Sequence, residues 1–472
     1  AIEPQCGTNL TVGASGDTIT FPSGTTVVNN GSQTGFGRTG TVDWQTSIKT
    51  STITAVNGEG YFVNTTGGAI TANLPAGSAG AIVAFRDYAN TFDSNNLTIS
   101  SNGSEKINGG TLDLTVSTEG ESLTLVYADA TKGWLVVNDG NNDAGAQAEF
   151  VTATGGTITT SGNFKIHTFT GPGTFCISNA GNPAGSTTVD YLVVAGGAGG
   201  GVGNTAGGAG GGAGGLRVSS GTASGCWTSS PLGSCVSALP VSVTGYPITV
   251  GAGGGGTGSL GNKGDSGSNS IFSTITSAGG GAGSGHDVAG STGGSGGGGS
   301  GAGPRLPEAG FSGNTPPVSP PQGQDGGNGG AGAPNYPSGG GGGAGGAAPD
   351  RTNTSQPGGP GGVGIQVNID GNNYYWSGGG GGEGYGLQGG DGGIGGGGGG
   401  SASGGENGPV KSGGAAGGSA INTASASTPV NGGSGATNSG GGGGGAVGGA
   451  PGGPGSSGSG GSGIVIIRYK FQ

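Results

Sequence analysis

Glycine supplies 131 of the 472 residues, and it is concentrated between residues 195 and 463. Inside this stretch other residues recur at every third position with mostly glycine between them, as in Gln322, Asp325 and Asn328, in Pro357, Pro360 and Val363, and in Gln388, Asp391 and Ile394. A period of three is that of the polyproline II helix, which has no internal hydrogen bonds. The sequence therefore predicts threefold helices with two bare edges and one edge that carries side chains.

Such helices satisfy their backbone groups only by bonding sideways to water or to one another. Because glycine lets backbones approach closely, we expect a layered bundle, with the side-chain-free runs 339–343, 378–382, 395–400 and 440–445 in a middle layer. Residues such as Asn328 are then expected to face solvent, so that Asn328→Ser is nearly silent. The alternative is a disordered linker, because Gly and Pro make up (131 + 23)/472, about a third of the chain. The three-residue phasing and the flanking β segments favour order.

Composition excludes several functions. The net charge of −11 and the absence of any Lys/Arg cluster argue against nucleic acid or an anionic membrane as a partner. No apolar run reaches the roughly 18 residues of a membrane-spanning helix, so no membrane insertion is expected. No signal peptide is visible and the first residue is Ala1, so we expect a chain that is processed or incomplete at this end.

The distribution of short β-branched segments, turn residues and glycine along the chain predicts a mainly β protein in six parts. These are a short-strand fibre or shaft segment (1–48), an all-β, sandwich-like module (49–140), a linker (141–149), a small β-sheet base (150–195), a polyglycine II sandwich with loops (196–463) and a C-terminal strand that closes the base (464–472). The apolar strands at the two ends of the glycine block are natural sheet partners. Leu192, Val194, Ile464 and Ile466 are expected in the densest part of that core.

Three motifs give the chain a family resemblance. YLVVAGGAGGG (191–201) leads into the glycine block, ITVGAGG (248–254) lies inside it and GIVIIRY (463–469) closes it. Together they resemble the glycine-rich C-terminal domains of tailed-bacteriophage tail fibres and adhesins over residues 150–472. The resemblance implies an extracellular virion protein, with a polyglycine II sandwich whose end loops bind a bacterial surface receptor, either a glycan or an outer-membrane protein. It also implies other virion tail proteins as partners, and a homotrimer is the expected assembly.

The receptor loops of that family have no fixed motif, so candidate residues come from composition alone. Aromatic residues concentrate binding energy at interfaces. The candidates for the tip loops are Trp227, Arg305, Phe311, Tyr336, Tyr374, Trp376 and Tyr385. Packing of Tyr374–Ser377 on the edge of the scaffold is the structural alternative for that segment.

No catalytic function, cofactor or metal site is predicted. The only histidines, His167 and His286, are not accompanied by a convincing triad, and the carboxylates of the all-β module, such as Asp87, are expected to be solvated. Cys226 and Cys235 bracket a loop that a disulfide could close, although free thiols are equally compatible with the sequence. The alternative to an adhesin is a structural subunit of a secreted or cell-surface glycine-rich filament with no receptor.

Overall fold

In the computed structural model, the described residues are Thr18, Thr20, 42–139, 148–182, 185–221, 236–303, 308–330, 332–404, 409, 411–449 and 455–472. Most of the predicted shaft segment, and the candidates Trp227, Arg305, Cys226 and Cys235, lie outside these residues. The chain divides into two compact units, Ala1–Gly145 and Ala146–Gln472. All regular secondary structure in the described residues is β, which confirms the predicted fold class.

The first unit is built from short strands rich in Val, Ile, Thr and aromatic residues, with turn residues between them. In chain order the strands are β1 (Asp43–Lys49), β2 (Ile53–Thr54), β3 (Glu59–Val63), β4 (Ile70–Asn73), β5 (Ile82–Asp87), β6 (Leu97–Ser100), β7 (Leu114–Val116), β8 (Ser122–Asp129) and β9 (Gly133–Asp139).

Two sheets enclose the core of the first unit. One has the order β1-β3-β5-β8-β9 and the other the order β2-β4-β6-β7. The first six strands alternate between the sheets and pair in parallel within each, whereas β7, β8 and β9 pair antiparallel. The inward side chains include Phe85, Phe92 and Trp134, all fully buried. The predicted sandwich-like core is present. The chain passes back and forth between the two sheets with each of the first six strands, so neighbouring strands within a sheet are parallel, unlike the antiparallel strands of a jelly roll.

The second unit begins with the β base and returns to it at its last strand. Its strands are β10 (Val151–Thr154), β11 (Thr157–Ser161), β12 (Phe164–Phe169), β13 (Gly173–Ala180), β14 (Thr188–Val194), β15 (Leu216–Val218), β16 (Leu239–Pro240), β17 (Gly245–Thr249), β18 (Ser270–Phe272), β19 (Ile275–Ser277), β20 (Ile365–Gln366), β21 (Tyr375–Trp376) and β22 (Ile464–Lys470).

The two strands that bracket the glycine block are neighbours, as predicted. Strand β22 lies between β12 and β14 in the order β11-β12-β22-β14-β15, with Leu192 opposite Ile466 and Val194 opposite Ile464. These four side chains are completely buried in one apolar cluster. The second sheet of the base has the strand order β10-β13-β17-β18-β19. Pairing across more than 260 residues closes the unit at its base.

The glycine block forms a bundle of extended segments, here called the polyglycine bundle, which comprises the described residues between 195 and 463 outside the strands. Its backbone bonds follow a period of three. In segment 195–203 each of the three edges bonds to a different neighbouring segment through backbone N–H groups. The first edge donates to segment 262–268 (Gly196 to Ser268, Gly199 to Asp265, Val202 to Asn262) and the second to segment 209–215 (Ala195 to Gly215, Ala198 to Gly212, Gly201 to Ala209). The third edge donates to segment 458–461 (Gly197 to Gly461, Gly200 to Gly458). These N···O distances are 2.8–3.1 Å. A threefold helix with a partner on each edge is the predicted polyglycine II arrangement.

Each segment ends either at the base or at the opposite end of the bundle, here called the distal end. Segment 195–203 leaves β14 and runs to the distal end, and segment 208–215 returns to β15. Alternation of outgoing and returning segments continues along the chain until 455–463 returns to β22. The chain therefore presents one set of turns beside the base and another at the distal end.

The predicted middle-layer runs are buried throughout. An ideal Cβ on Gly380 would stand 2.1 Å from the Gly443 carbonyl oxygen, and one on Gly397 would stand 2.0 Å from that of Gly379. Two runs are shorter than predicted, because Gly395, Gly396 and Gly440 have φ values of +102°, +98° and +72° and form turns at the base end. Backbone contact on several sides leaves no room for a methyl group.

The side chains of the outer layer do more than face solvent. Asp325 Oδ1 accepts a hydrogen bond from Gly313 N at 2.8 Å, and Asn328 Oδ1 accepts one from Gly310 N at 2.8 Å. Asp391 Oδ1 binds Ala415 N in the same way. These carboxylates and amides satisfy N–H groups at the edge of the bundle, where no further backbone is available. Asn328 is thus half-buried and hydrogen-bonded where the sequence predicted a solvent-facing side chain, and Gln322, fully buried, also departs from the outward-facing pattern.

This edge function can be tested in one segment. We expect Asp391→Ala to lower the free energy of unfolding by about 1 kcal/mol, because the Ala415 N–H loses its partner. Gln388 lies three residues earlier, is exposed and makes no side-chain hydrogen bond within the described structure, so Gln388→Ala should change stability by less than ~0.5 kcal/mol. Urea unfolding of both variants measures the difference; equal midpoints would contradict the edge role.

Candidate functional site

Two turns of the distal end, 332–337 and 384–388, lie together at one corner of the bundle, beside the segment 348–354. Segment 338–345 runs parallel to the returning segment 208–215, so the turn 332–337 that precedes it is distal. Segment 377–383 leaves β21 and runs outward to the turn 384–388, and segment 348–354 runs parallel to the outgoing segment 322–330. The hydrogen-bond partners of the scaffold thus decide which turns meet.

Side chains from these two turns and from segment 348–354 form what we call the distal corner: Asn335, Tyr336, Arg351 and Tyr385. The rings of Tyr336 and Tyr385 are 6.0 Å apart between centroids, with an interplanar angle of 56°. Asn335 Nδ2 donates to Thr354 O at 3.0 Å. Gly386 has φ +73°, and an ideal Cβ there would stand 2.3 Å from Asn335 Oδ1. Glycine at this position lets the two tyrosine-bearing turns approach.

Arg351 lies beside Pro337, the residue that follows Tyr336 in the turn 332–337. An ideal Cβ on the buried Gly330 would meet Pro337 Cγ at 3.0 Å and Arg351 Cβ at 3.2 Å, so the two side chains flank the same glycine. The guanidinium donates to Pro349 O at 3.3 Å, its Nε is buried without a hydrogen-bond partner, and it forms no ion pair with a described carboxylate. Burial lowers the pKa of Arg351, and Asp350 partly offsets this effect. Asp350 itself accepts a bond from Asn328 N at 2.9 Å.

Glu383 lies directly beneath the turn 384–388 and is fully buried. Its Oε2 accepts hydrogen bonds from Gly207 N at 2.7 Å and Gly208 N at 2.9 Å, whereas Oε1 has no partner among the described residues. Burial raises the pKa of Glu383 to about 8, against the lowering effect of the two N–H donors. The carboxyl group joins the 384–388 turn to the turn at 204–206.

The other aromatic candidates are elsewhere. Trp376 is fully buried in the core of the base, and its Nε1 donates to Val367 O at 2.9 Å, so the prediction that it contacts a receptor is wrong. Tyr374 packs edge-on against it, with centroids 5.9 Å apart, at the base end. Phe311 is half-buried along the side of the bundle, where its backbone N bonds Gly297 O. The short β20–β21 hairpin draws residues 374–376 into the core, as the packing alternative proposed.

The histidines have separate surroundings. His167 is buried between Gly155 O, 2.7 Å from Nδ1, and the Tyr469 hydroxyl, 3.0 Å from Nε2. Burial lowers the pKa of His167, so its neutral form is favoured. His286 Nδ1 lies 2.7 Å from Asp287 Oδ1 at the distal end, and Asn204 Nδ2 donates to Asp287 Oδ2 at 3.0 Å. The second group orders a turn at the distal end.

Asp87 of the first unit is buried, so the prediction that its carboxylate is solvated is wrong. It is buried and accepts bonds from Ala89 N, Phe92 N and Gly120 N at 3.0–3.2 Å, which gives it a structural role in joining two loops. Within the described residues there is no group of three or more His, Cys, Asp or Glu side chains suited to a metal ion. Nor do these residues include a helix of the length and apolarity that a membrane span requires.

Sequence reasoning missed Arg351 and Glu383, although both stand out in a charge-poor block. Glu383 directly follows the glycine run 378–382, where the buried middle layer must end. A charged residue at that position was the signal that could have identified it. Arg351 carried no comparable signal, because its place beside Pro337 depends on the pairing of segments that are not neighbours in the chain.

Comparison with known proteins bears on the bundle as a whole. A search of curated proteins found no match. The sequence profile of the glycine-rich domain family matches residues 169–437, which is more than half of the chain and includes the distal corner. The match runs from the last residue of β12 into the bundle, so it covers most of the second unit but not β10, β11 or β22. The chain belongs to the glycine-rich domain family.

Proposed function

We propose that this protein is an adhesin of a bacteriophage tail fibre, and that the distal corner binds a receptor on the bacterial surface. The observation that carries the proposal is the convergence of Tyr336 and Tyr385, from turns nearly 50 residues apart, at the end of the bundle remote from the β base. A position in the virion, other tail proteins as partners and a trimeric assembly belong to the same proposal.

The bundle suits this role physically. Each segment is held on several edges by backbone hydrogen bonds, so the scaffold orders its turns without depending on the sequence of any one turn. Half-buried aromatic side chains on a rigid support lose little conformational entropy when a partner binds. The candidate site therefore combines ordered geometry with exposed aromatic surface.

Cell binding tests the proposal. We expect the labelled full-length protein to bind a subset of a panel of bacterial strains saturably, and Tyr336→Ala/Tyr385→Ala to weaken that binding at least tenfold, because truncated aromatic anchors typically cost more than about 1.4 kcal/mol. The control is Asn372→Ser/Asn373→Ser, two exposed substitutions in the turn beside the base. Equal loss in both variants, or uniform binding to every strain, would contradict a receptor site at the distal corner.

The second candidate is a structural filament subunit, and one observation favours it. Strand β11 is an edge strand whose five residues are all exposed, and its sequence TITTS carries no charge or proline of the kind that blocks edge-to-edge pairing. Sedimentation of the same sample distinguishes the two: fibres that form at micromolar concentration, without binding to any strain, would favour the filament.

A further inference from the structure

We infer that the ligand of the distal corner is an acidic saccharide, with a sugar ring stacked on Tyr336 and Tyr385 and its carboxylate or phosphate group bound by Arg351. The inference rests on the proposed adhesin function and adds the chemical class of the receptor. Three observations support it, one from the rings, one from the guanidinium and one from the surrounding charges.

The ring pair offers the shape that a sugar ring can cover. The two rings are tilted by 56° and separated by 6.0 Å, so they form a shallow angled surface and not a closed stack. Both side chains are half-buried, which fixes the rings while leaving part of each accessible. Asn335, in the same turn as Tyr336, has a side-chain amide whose Nδ2 donates to Thr354 O. An apolar surface bordered by polar groups fits a ligand with both C–H and hydroxyl groups.

Arg351 supplies the second element. A guanidinium has five N–H donors in a planar fork that matches a carboxylate or a phosphate. The only hydrogen bond of the Arg351 side chain within the described structure is a long one, 3.3 Å, to Pro349 O, and Nε is buried without a partner. Because Nε is buried, an external anion would pair with the Nη groups, whose remaining N–H donors have no partner within the described structure.

Charge distribution favours one acidic group on an otherwise neutral ligand. The protein has a net charge of −11, and Asp350 stands next to Arg351 in the sequence. A polyanion would be repelled by the protein as a whole, whereas a single carboxylate or phosphate at the right place pairs locally with Arg351. Asp350 accepts a hydrogen bond from Asn328 N and forms no ion pair with Arg351 within the described structure.

A saccharide array tests the inference with the full-length protein. The array pairs glucose-terminated, glucuronic-acid-terminated and glucose-6-phosphate-terminated oligosaccharides on the same core, which separates carboxylate from phosphate recognition. We expect an acidic member to bind at least tenfold more tightly than its neutral counterpart, and binding to weaken as salt increases. Arg351→Gln should abolish this preference, while Lys263→Gln, the same charge change in the C-terminal part of another distal turn, should preserve it.

The outcomes separate this inference from the adhesin proposal. Preference for the acidic sugars that survives Arg351→Gln, or equal binding of neutral and acidic members, would overturn the role of Arg351. If the protein binds bacterial strains through the tyrosines but binds no member of the array, the receptor is not an acidic saccharide and a surface protein takes its place. If it binds neither strains nor saccharides, the adhesin proposal fails as well. Thermal unfolding of each variant checks that the bundle is intact.

Discussion

We expect Gly442→Ala to prevent the second unit from folding stably, although it adds only one methyl group. An ideal Cβ on Gly442 would stand 2.0 Å from Gly211 O and 2.8 Å from Gly380 N. Both contacts are backbone atoms held by their own hydrogen bonds, Gly211 O by Gly380 N at 2.9 Å, so they cannot turn aside as a side chain would. Separating the segments would lengthen several bonds of about 1 kcal/mol each. We expect a loss of about 3 kcal/mol or more.

Gly418 provides the matched control. It lies in the same block, is exposed, has no positive φ and would place a Cβ with nothing within 4 Å. Gly418→Ala should be neutral or stabilise the protein by a few tenths of a kcal/mol, because alanine restricts the unfolded chain. Soluble yield and thermal unfolding by circular dichroism compare the two variants. Equal melting temperatures would show that the middle layer tolerates side chains and that the close-packed arrangement is wrong.

Glu383→Gln is expected to change how stability depends on pH. In the folded protein burial raises the pKa of Glu383 to about 8, from an ordinary value of 4.5. Below pH 4.5 the carboxyl group is protonated in both the folded and the unfolded protein, so its burial lowers the free energy of unfolding least. As the pH rises from 4.5 to about 8, the unfolded chain ionises while the folded protein retains its proton, so stability falls, and above about 8 the loss is complete. The loss is on the order of 5 kcal/mol.

The neutral glutamine removes this contribution. Its Oε1 can still accept from Gly207 N and Gly208 N, and any cost of its buried amide is the same at every pH. We therefore expect the stability of Glu383→Gln relative to the native protein to increase as the pH rises from 5 to 8, measured by urea unfolding of the second unit at several pH values. His167 has the opposite dependence, since its lowered pKa removes stability as the pH falls, but it is present in both proteins. A constant difference across this range would contradict a protonated Glu383.

The exposed Glu119 of the first unit serves as a control for the charge change itself. Glu119→Gln removes one carboxylate from the protein without touching the bundle. The stability of the second unit should then follow the same pH dependence as in the native protein. A parallel change in both glutamine variants would point to net charge and not to the burial of Glu383.

The local geometry of the bundle could be predicted from the sequence because it depends on a period. Residues at every third position determine which edge of a threefold helix can touch a neighbour, and the runs without side chains determine which helices can be surrounded. The pairing of β14 with β22 was predictable for a similar reason, because both strands are apolar on two faces and stand at the ends of the block. In each case the physical cause lies in residues that are adjacent or regularly spaced.

The composition of the distal corner was decided only by the tertiary structure. Tyr336 and Tyr385 meet because segments far apart in the chain bond edge to edge, and glycine edges are too alike for the sequence to specify which pair is chosen. The same uncertainty placed Trp376 in a predicted binding surface, whereas the β20–β21 hairpin buries it at the other end. The sequence by itself determined the three-residue helix and its bare edges; the direction and neighbours of each helix, and hence the site, depend on hydrogen bonds between segments.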